Sequence, residues 1–393
     1  MTADPVGSPA PSPERQPHRT DTAAIMVRLI RESYAQVAPR AEDVAQFFYA
    51  MLFAIAPATR ELFPANMQVQ RSRFRRALTH IVQNVDRCEE LVPFLRQLGR
   101  DHRKFGVLAE HYDAMGTALV AALRQYAGAD WTPQTERAWR DAYGLIAKTM
   151  REAAEADQGP AWWTARVVDH HRLTWDLAVV RLTPERPVPY QAGQYVSVEV
   201  PQRPRLWRYL SPANTPRPDG SIEFHIRAVP GGSVSGSIVG HTQVGDTWRI
   251  GAPMGHMTVD RGCGRDVVMV AGGTGTAPLR AILEDLTQWG DNPQVTIFVG
   301  GRTRADLHDL DTLTAMAATN PWLKVTPVVE SYPRMAGVEH GTLADAVTRF
   351  GAWPGRDVLV CGSPAMIRAT VSRMLVAGTP LDRITYDPFT VDC

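Results

Sequence analysis

The sequence is short of lysine, of paired cysteines and of net charge. Among 42 basic residues only Lys104, Lys148 and Lys324 are lysines, a skew that reads as coding bias, and 41 acidic residues leave a formal net charge of +1. So even a balance gives no electrostatic reason to expect nucleic acid or an anionic membrane surface as a partner. Cys88, Cys263, Cys361 and Cys393 stand far apart with no CxxC pair, so neither a zinc knuckle nor a disulfide framework is indicated, and a reducing, cytoplasmic setting fits. No run of ~18 apolar residues occurs, which excludes an ordinary membrane-spanning helix. Residues 1–22 carry Pro5, Pro9, Pro11, Pro13 and Pro17 among Arg, Ser and Thr, with no apolar segment suited to a signal peptide. They read as a disordered tail.

What is present is a globular composition, 393 residues with 44% hydrophobic and 21% charged. At ~100 to 200 residues per domain, that length implies two or three domains. Residues 23–157 show apolar spacings of three and four with few glycines, which predicts an all-α domain. Within it, Val44, Phe47, Phe48, Met51 and Leu52 form one broad apolar face with Tyr49 beside it, and Pro57, Pro64 and Pro93 are expected at helix starts or in connections. The pattern stops at Gly159-Pro160-Ala161-Trp162-Trp163. Residues 160–260 alternate in the β manner, with strands expected over Gln194–Val200 and Ile222–Ile226, and predict a compact antiparallel β-barrel. Residues 265–393 carry short apolar runs, Val267–Val270, Val295–Val299, Val325–Val329 and Val358–Val360, separated by helix-like stretches. That rhythm predicts a parallel α/β sheet, whose ligands bind beyond the carboxyl ends of the strands.

Two turns in the last region suit a dinucleotide. Val267–Val270 leads into Ala271-Gly272-Gly273-Thr274-Gly275-Thr276-Ala277-Pro278, where glycines permit close backbone approach and Pro278 suits the first position of a helix whose amino terminus favours phosphate. The turn is not the GxGxxG fingerprint, because Pro278 stands where the third Gly would be. Val358–Val360 leads into Cys361-Gly362-Ser363-Pro364 with the same design.

With a barrel upstream, these turns resemble the ferredoxin-reductase-like flavoprotein family, in which a FAD-binding barrel precedes a NAD(P)H-binding domain. The family's Arg-x-Tyr-Ser/Thr is matched by Arg208-Tyr209-Leu210-Ser211. The resemblance implies that Arg208 meets a FAD phosphate and that Ser211 lies near the reactive flavin nitrogen. Leu210 replaces the Tyr that packs on the ring, losing aromatic stacking of ~0.5 to 1.5 kcal/mol. Gly231-Gly232-Ser233-Val234-Ser235 resembles the family's second phosphate-contacting stretch, with Gly232 and Ser235 as contacts; read alone it is a Gly-rich hairpin. Tyr195 matches a flavin-contacting barrel position, or is a packed strand residue. Phe389, in Tyr386-Asp387-Pro388-Phe389, matches the aromatic residue over the flavin, or closes a packed terminus. Arg302 and Arg304 follow the Val295–Val299 run and leave NADH against NADPH open.

The helical third resembles a globin, and the whole from Ala23 to Cys393 resembles a flavohaemoglobin. The matching stretches include Gln46-Phe47-Phe48-Tyr49, Glu61-Leu62-Phe63, Asp101-His102-Arg103-Lys104-Phe105 and Ala142-Tyr143-Gly144. The resemblance implies haem b held by His102, which Tyr112 follows by ten residues as in the family. It also implies Tyr49 as the distal hydroxyl toward dioxygen and Phe63 wedging the haem. Three positions depart from the family: Phe74 falls where a distal Gln is usual, Asp101 replaces the Lys before the ligand, and the proximal Glu register falls at Ala156, with Glu152 and Glu155 nearby.

The implied activity is a nitric oxide dioxygenase that uses NAD(P)H, FAD and haem to convert nitric oxide and O2 to nitrate. The alternatives are an NAD(P)H-dependent reductase serving a free flavin or a redox partner protein, with the globin as a sensor, and a non-enzymatic oxygen store.

Overall fold

The computed structural model describes residues 19–330 and 336–387. The chain forms two compact units: one holds the segments up to Glu61, Met67–Gly99 and Leu108–Ala156, and the other holds Leu62–Asn66, Arg100–Val107 and the chain from Asp157 onward. Among the described residues no helix is long and apolar enough to cross a membrane.

The first unit is all-helical. Its helices are α1 (Arg19–Val37), α2 (Ala41–Ile55), α3 (Gln68–Gln83), α4 (Cys88–His102, whose last turn belongs to the second unit), α5 (Ala109–Ala127) and α6 (Pro133–Ala156). Helix α1 begins at Arg19, inside the stretch read as a tail; residues 1–18 lie outside the described residues. On α2 the buried face is Val44, Ala45, Phe48, Tyr49 and Leu52, so Tyr49 lies within that face while Phe47 and Met51 flank it. Pro93 lies inside α4, where it forgoes one backbone bond. The buried stripe Leu91, Leu95 and Gly99 carries the helix through that gap, since packing rather than propensity holds most helices. The carboxyl end of the stripe fits closely: a Cβ on Gly99 would lie 2.2 Å from the Met150 carbonyl oxygen of α6.

The second unit contains two sheets. The first is antiparallel, made of β1 (Trp163–Arg172), β2 (Leu177–Pro184), β3 (Val196–Glu199), β4 (Arg208–Leu210), β5 (Ile222–Arg227) and β6 (Thr247–Ile250), with helix α7 (Ser233–His241) between β5 and β6. Its order is β4-β3-β6-β1-β2-β5, and a bridge between Pro212, just past β4, and Phe224 of β5 brings the two edges together into a nearly closed barrel. Its filling comes from period-two alternation: Trp163, Ala165 and Val167 of β1 point inward with Val180, Leu182, Phe224 and Trp248. The turn read as a possible Gly-rich hairpin instead opens α7, with Gly232 as its N-cap.

The second sheet is parallel. Its strands are β7 (Val267–Gly272), β8 (Val295–Gly301), β9 (Leu323–Val329), β10 (Glu339–His340), β11 (Asp357–Cys361) and β12 (Ile384–Tyr386), in the order β10-β9-β8-β7-β11-β12. Helices α8 (Thr276–Leu286), α9 (Leu310–Thr319), α10 (Leu343–Arg349) and α11 (Pro364–Val376) connect them. Strand β7 is buried along Val267–Ala271 because helices cover both faces, which is why its sequence does not alternate. Crossing from β7 to β8 to β9 on one side and back to β11 on the other places the ends of β7 and β11 side by side.

Candidate functional site

In the first unit the Tyr49 hydroxyl is buried and shares a hydrogen bond with the side-chain amide of Gln70 on α3. Burial holds its pKa well above that of a free phenol, with the Gln70 bond and the nearby Arg73 guanidinium opposing, so Tyr49 stays protonated at any working pH. Aromatic rings wall it in: Phe48 at 4.9 Å, Phe74 at 5.8 Å and Phe53 at 6.0 Å between centroids. Phe74, read as filling the distal Gln position, stacks on Phe48 at 4.2 Å and 12°. The polar residue is Gln70, one helical turn earlier on the same face of α3. A polar pair in an aromatic wall fits the distal side of a haem whose bound ligand carries partial negative charge.

Tyr112 on α5 is buried, and its ring has the Arg151 guanidinium 6.0 Å from its centroid. Burial raises its pKa, with Arg151 opposing. The Tyr143 hydroxyl of α6 donates to the Tyr112 carbonyl oxygen at 2.6 Å. Gly116 makes that approach possible, since a Cβ there would lie 2.6 Å from the Tyr143 ring. Glu152 and Glu155, weighed as substitutes for the proximal Glu, are both exposed, and Glu152 pairs with Lys148 at 3.8 Å.

Within the second unit, Arg100–Val107 carries His102 and Phe63 lies partly buried in Leu62–Asn66. The His102 ring meets Phe105 edge-on at 6.0 Å. Lys104, two residues on, is buried: its ammonium donates to Asp101 at 2.5 Å and to Ser197 of β3 at 3.0 Å, and it faces the rings of Phe105, Trp207 and Tyr209 at 5.0 to 5.4 Å. Asp101, the departure from the family's Lys, is thus the counter-ion of Lys104.

A cleft of about 940 Å³ opens in the same unit beyond the carboxyl ends of β7, β8 and β11. From the antiparallel sheet come Tyr209, Leu210, Ser211, His225 and Arg227, with Val229 and Pro230 from the turn before α7. From the parallel sheet come Gly273, Thr274, Gly275 and Pro278, then Cys361, Gly362, Ser363 and Pro364. The two Gly-rich turns touch: a Cβ on Gly275 would lie 2.4 Å from the Cys361 carbonyl oxygen. Ser363 caps α11 by accepting from the Met366 N–H at 3.3 Å, and Pro364 is its first residue, as expected. Pro278 is the third residue of α8 rather than the first, because a short helical turn, Gly273–Gly275, precedes that helix. Narrow glycine backbone beside two helix amino termini fits a dinucleotide's phosphates.

Thr276, Ser235, Tyr195 and Arg208 are not among the residues that line this cleft. Thr276 is buried and its hydroxyl donates to the Gly273 carbonyl at 3.0 Å, which closes the turn. Ser235 does the same for the turn before α7, accepting from Val229 N–H at 3.3 Å and donating to Gly232 at 3.4 Å. The Tyr195 ring meets Tyr209 edge-on at 5.2 Å, and Arg208 donates to the Trp207 carbonyl at 2.9 Å. The Cys361 thiol points away, onto Met257 at 3.2 Å, and burial pushes its pKa up. Arg302 reaches the cleft and Arg304 does not. Phe389 lies outside the described residues.

Comparison with known proteins assigns the three regions. Residues 46–150 match the globin family, residues 164–259 the oxidoreductase FAD-binding domain, and residues 269–372 the oxidoreductase NAD-binding domain. A flavohemoprotein of Bacillus subtilis is 25% identical over 385 residues, covering 92% of this chain and 96% of that protein. The chain belongs to the flavohaemoglobin-like family. A solved flavohemoglobin from Malassezia yamatoensis, with bound FAD and heme, shares its fold at a TM-score of 0.76 and 20% identity, over 92% of this chain and 98% of that one. The reductase component of propane 2-monooxygenase from Rhodococcus jostii is 33% identical over 233 residues, covering 57% of this chain and 63% of that protein. As a flavohaemoglobin-like protein the chain is an NAD(P)H-dependent oxidoreductase with haem b, FAD and a nicotinamide dinucleotide as cofactors.

Several flavohaemoglobin side chains escaped sequence reading. Gln70 was hidden by the competing phase of Phe74. Tyr209, His225 and Arg227 reach the cleft only because β4 and β5 meet there. Asp387 lines the cleft with one carboxylate oxygen lacking a partner among the described residues, and burial pushes it up to about 6. Its place beside Phe389 in the terminal motif was the available signal.

Proposed function

We propose that the chain is a nitric oxide dioxygenase, in which each nitric oxide takes up one dioxygen and one electron and leaves as nitrate, NAD(P)H being the electron source. The observation that carries this reading is the buried Tyr49–Gln70 pair on the same chain as a dinucleotide cleft. When bound, FAD would supply the conversion of a hydride into single electrons and haem would supply the redox-active iron.

The chain's own side chains do the holding. His102 would supply the imidazole for the iron, and Tyr112 and Phe63 would serve the haem as the flavohaemoglobin resemblance implies. Tyr49 keeps its phenolic proton and, with Gln70, offers hydrogen bonds to a partly negative ligand; the phenyl rings around them exclude water. Arg208, Ser211, Gly232 and Ser235 would hold FAD, Tyr195 and Leu210 would meet its ring system, and Phe389 would have the role of the covering aromatic residue that the resemblance implies. Gly273–Thr276 with Pro278, and Cys361–Pro364, receive the dinucleotide through backbone N–H groups at the two helix starts. Asp387 carries a proton at its carboxyl below a pH of about 6.

The test is nitric oxide consumption by the purified chain with NADH or NADPH, with and without oxygen. Oxygen-dependent nitrate formation is expected; none would remove the reading. One observation favours a second reading, a reductase serving a separate redox partner: the reductase part alone is 33% identical to a monooxygenase reductase component over 233 residues, against 25% for the whole chain and a flavohemoprotein over 385. Under it, a purified monooxygenase-type acceptor is reduced while nitric oxide is left intact.

A further inference from the structure

Behind the cleft the second unit buries a charged network that none of the assigned roles uses. Arg280 of α8 forms an ion pair with Glu223 of β5 at 3.0 Å and donates to Glu284 at 3.0 Å and to Asp309, just before α9, at 3.2 Å. The Glu223, Arg280 and Asp309 side chains are only 7, 10 and 6% exposed. Arg181 caps the other Glu223 oxygen at 3.1 Å.

Two histidines extend this network to the cleft wall. The His225 Nε2 lies 3.1 Å from the Glu223 carboxylate, and its Nδ1 lies 3.1 Å from Nε2 of His308. The same Nε2 lies 3.3 Å from the Arg280 guanidinium, so Glu223, Arg280 and His308 all meet the His225 ring. The neighbouring Arg227 is held by Asp176 at 2.8 Å and by Asp306 at 3.4 Å. Burial and the neighbouring His225 hold His308 down to about 4, so the single bond between the rings persists at neutral pH.

The span of this network decides its meaning. Glu223 and His225 belong to the antiparallel sheet, whereas Arg280, His308 and Asp309 flank the parallel one. His225 itself lines the cleft. Breaking a buried charge network leaves uncompensated charges, so the two walls cannot slide past each other without a large penalty.

We propose that His225 is a positioning residue for hydride transfer: bonded to His308 and backed by Glu223 and Arg280, it fixes the spacing between the flavin wall and the dinucleotide wall of the cleft. The proposal rests on the flavin and dinucleotide reading of that cleft. A misplacement of ~1 Å between reacting groups costs on the order of a hundredfold in rate.

The experiment is anaerobic rapid-mixing reduction of the flavin by NADH in the full, FAD-loaded chain, with three further readouts: FAD content, the long-wavelength charge-transfer absorbance between flavin and nicotinamide, and the NADH dependence of the rate. In His225→Ala we expect the limiting rate to fall ~10- to 100-fold and the charge-transfer band to weaken, with FAD content retained. His225→Gln, whose amide presents one donor group and one acceptor to Glu223, Arg280 and His308, is expected to keep most of the rate. A wild-type rate in His225→Ala, or equal losses in the alanine and glutamine variants, overturns the proposal. If His225→Ala does not fold, His308→Phe carries the test, since it keeps the ring and deletes the bond: a slowed limiting rate supports the proposal and an unchanged one overturns it. No flavin reduction in the unaltered chain overturns the cleft reading as well, whereas a normal unaltered rate with unaffected variants overturns this proposal alone.

Discussion

The Tyr49 hydroxyl on α2 and the Gln70 amide on α3 are bonded to one another inside an aromatic wall. Under the proposed function their pairing would offer a ligand two polar contacts where counting along the sequence gave one. A charge-assisted hydrogen bond of this kind contributes ~1.5 to 3 kcal/mol. Tyr49→Phe is therefore expected to speed oxygen dissociation by roughly tenfold or more, and Gln70→Leu by less, because Tyr49 remains. Ligand-replacement kinetics on the ferrous protein measure both. An unchanged rate in Tyr49→Phe shows that the hydroxyl faces elsewhere.

Asp387 predicts a pH dependence of stability. Its folded-state pKa of about 6 lies above the ordinary value of 3.8, so the folded state binds the proton more tightly than the unfolded state does. The stabilisation is complete below about pH 3.8 and is lost as pH rises through about 6. The total is on the order of 3 kcal/mol. Urea denaturation of the unaltered chain and of Asp387→Asn across pH 4 to 8 isolates the term; parallel curves for the two proteins would show that Asp387 does not contribute it.

Gly275 is where the two dinucleotide turns touch. Gly275→Ala places a Cβ 2.4 Å from the Cys361 carbonyl oxygen, which forces the turns apart. Overpacking of this kind costs ~1 to 3 kcal/mol. Dinucleotide affinity, measured by titration calorimetry, is expected to fall while FAD content stays. Equal affinity in the variant would place the phosphates away from this turn.

Lys104 tests a buried charge. Lys104→Met leaves Asp101 without its ammonium and Ser197 without its donor. Removing one partner of a buried pair costs ~3 to 5 kcal/mol, with the lower end expected here because the Asp101 side chain keeps 14% exposure. Urea unfolding is the measurement. A loss smaller than that for an exposed pair such as Arg40–Asp43 would show that Lys104 is better solvated than its surroundings imply.

Gly116 links sequence spacing to packing. Gly116→Ala would push the Tyr143 ring off α5 and break its bond to the Tyr112 carbonyl. A destabilisation of ~1 to 3 kcal/mol is expected in thermal unfolding, with the circular-dichroism helix signal intact. Retention of full stability would mean that the two helices separate at little cost.

Much of the architecture was legible along the chain because it depends on local periodicity. Period 3.6 marked the helices, period two marked β3 and β5, and uninterrupted runs such as Val267–Val270 marked strands buried on both faces. Ser363 and Pro364 were readable because capping chemistry is local. One reading slipped by less than a turn: Pro278 sits third in α8 because a short helical turn intervenes.

By itself, then, the sequence determined the order of the three folded regions, the two glycine turns and the candidate side chains for iron, flavin and dinucleotide, all features fixed within a few residues of one another. Tertiary structure alone decided which groups meet across long separations. Gln70 reaches Tyr49, Lys104 reaches Ser197 ninety-three positions away, and Arg280 gathers carboxylates from β5 and the start of α9. The reason is energetic. A buried polar group must find its partner wherever the folded chain supplies one, and no periodicity in the sequence records that choice.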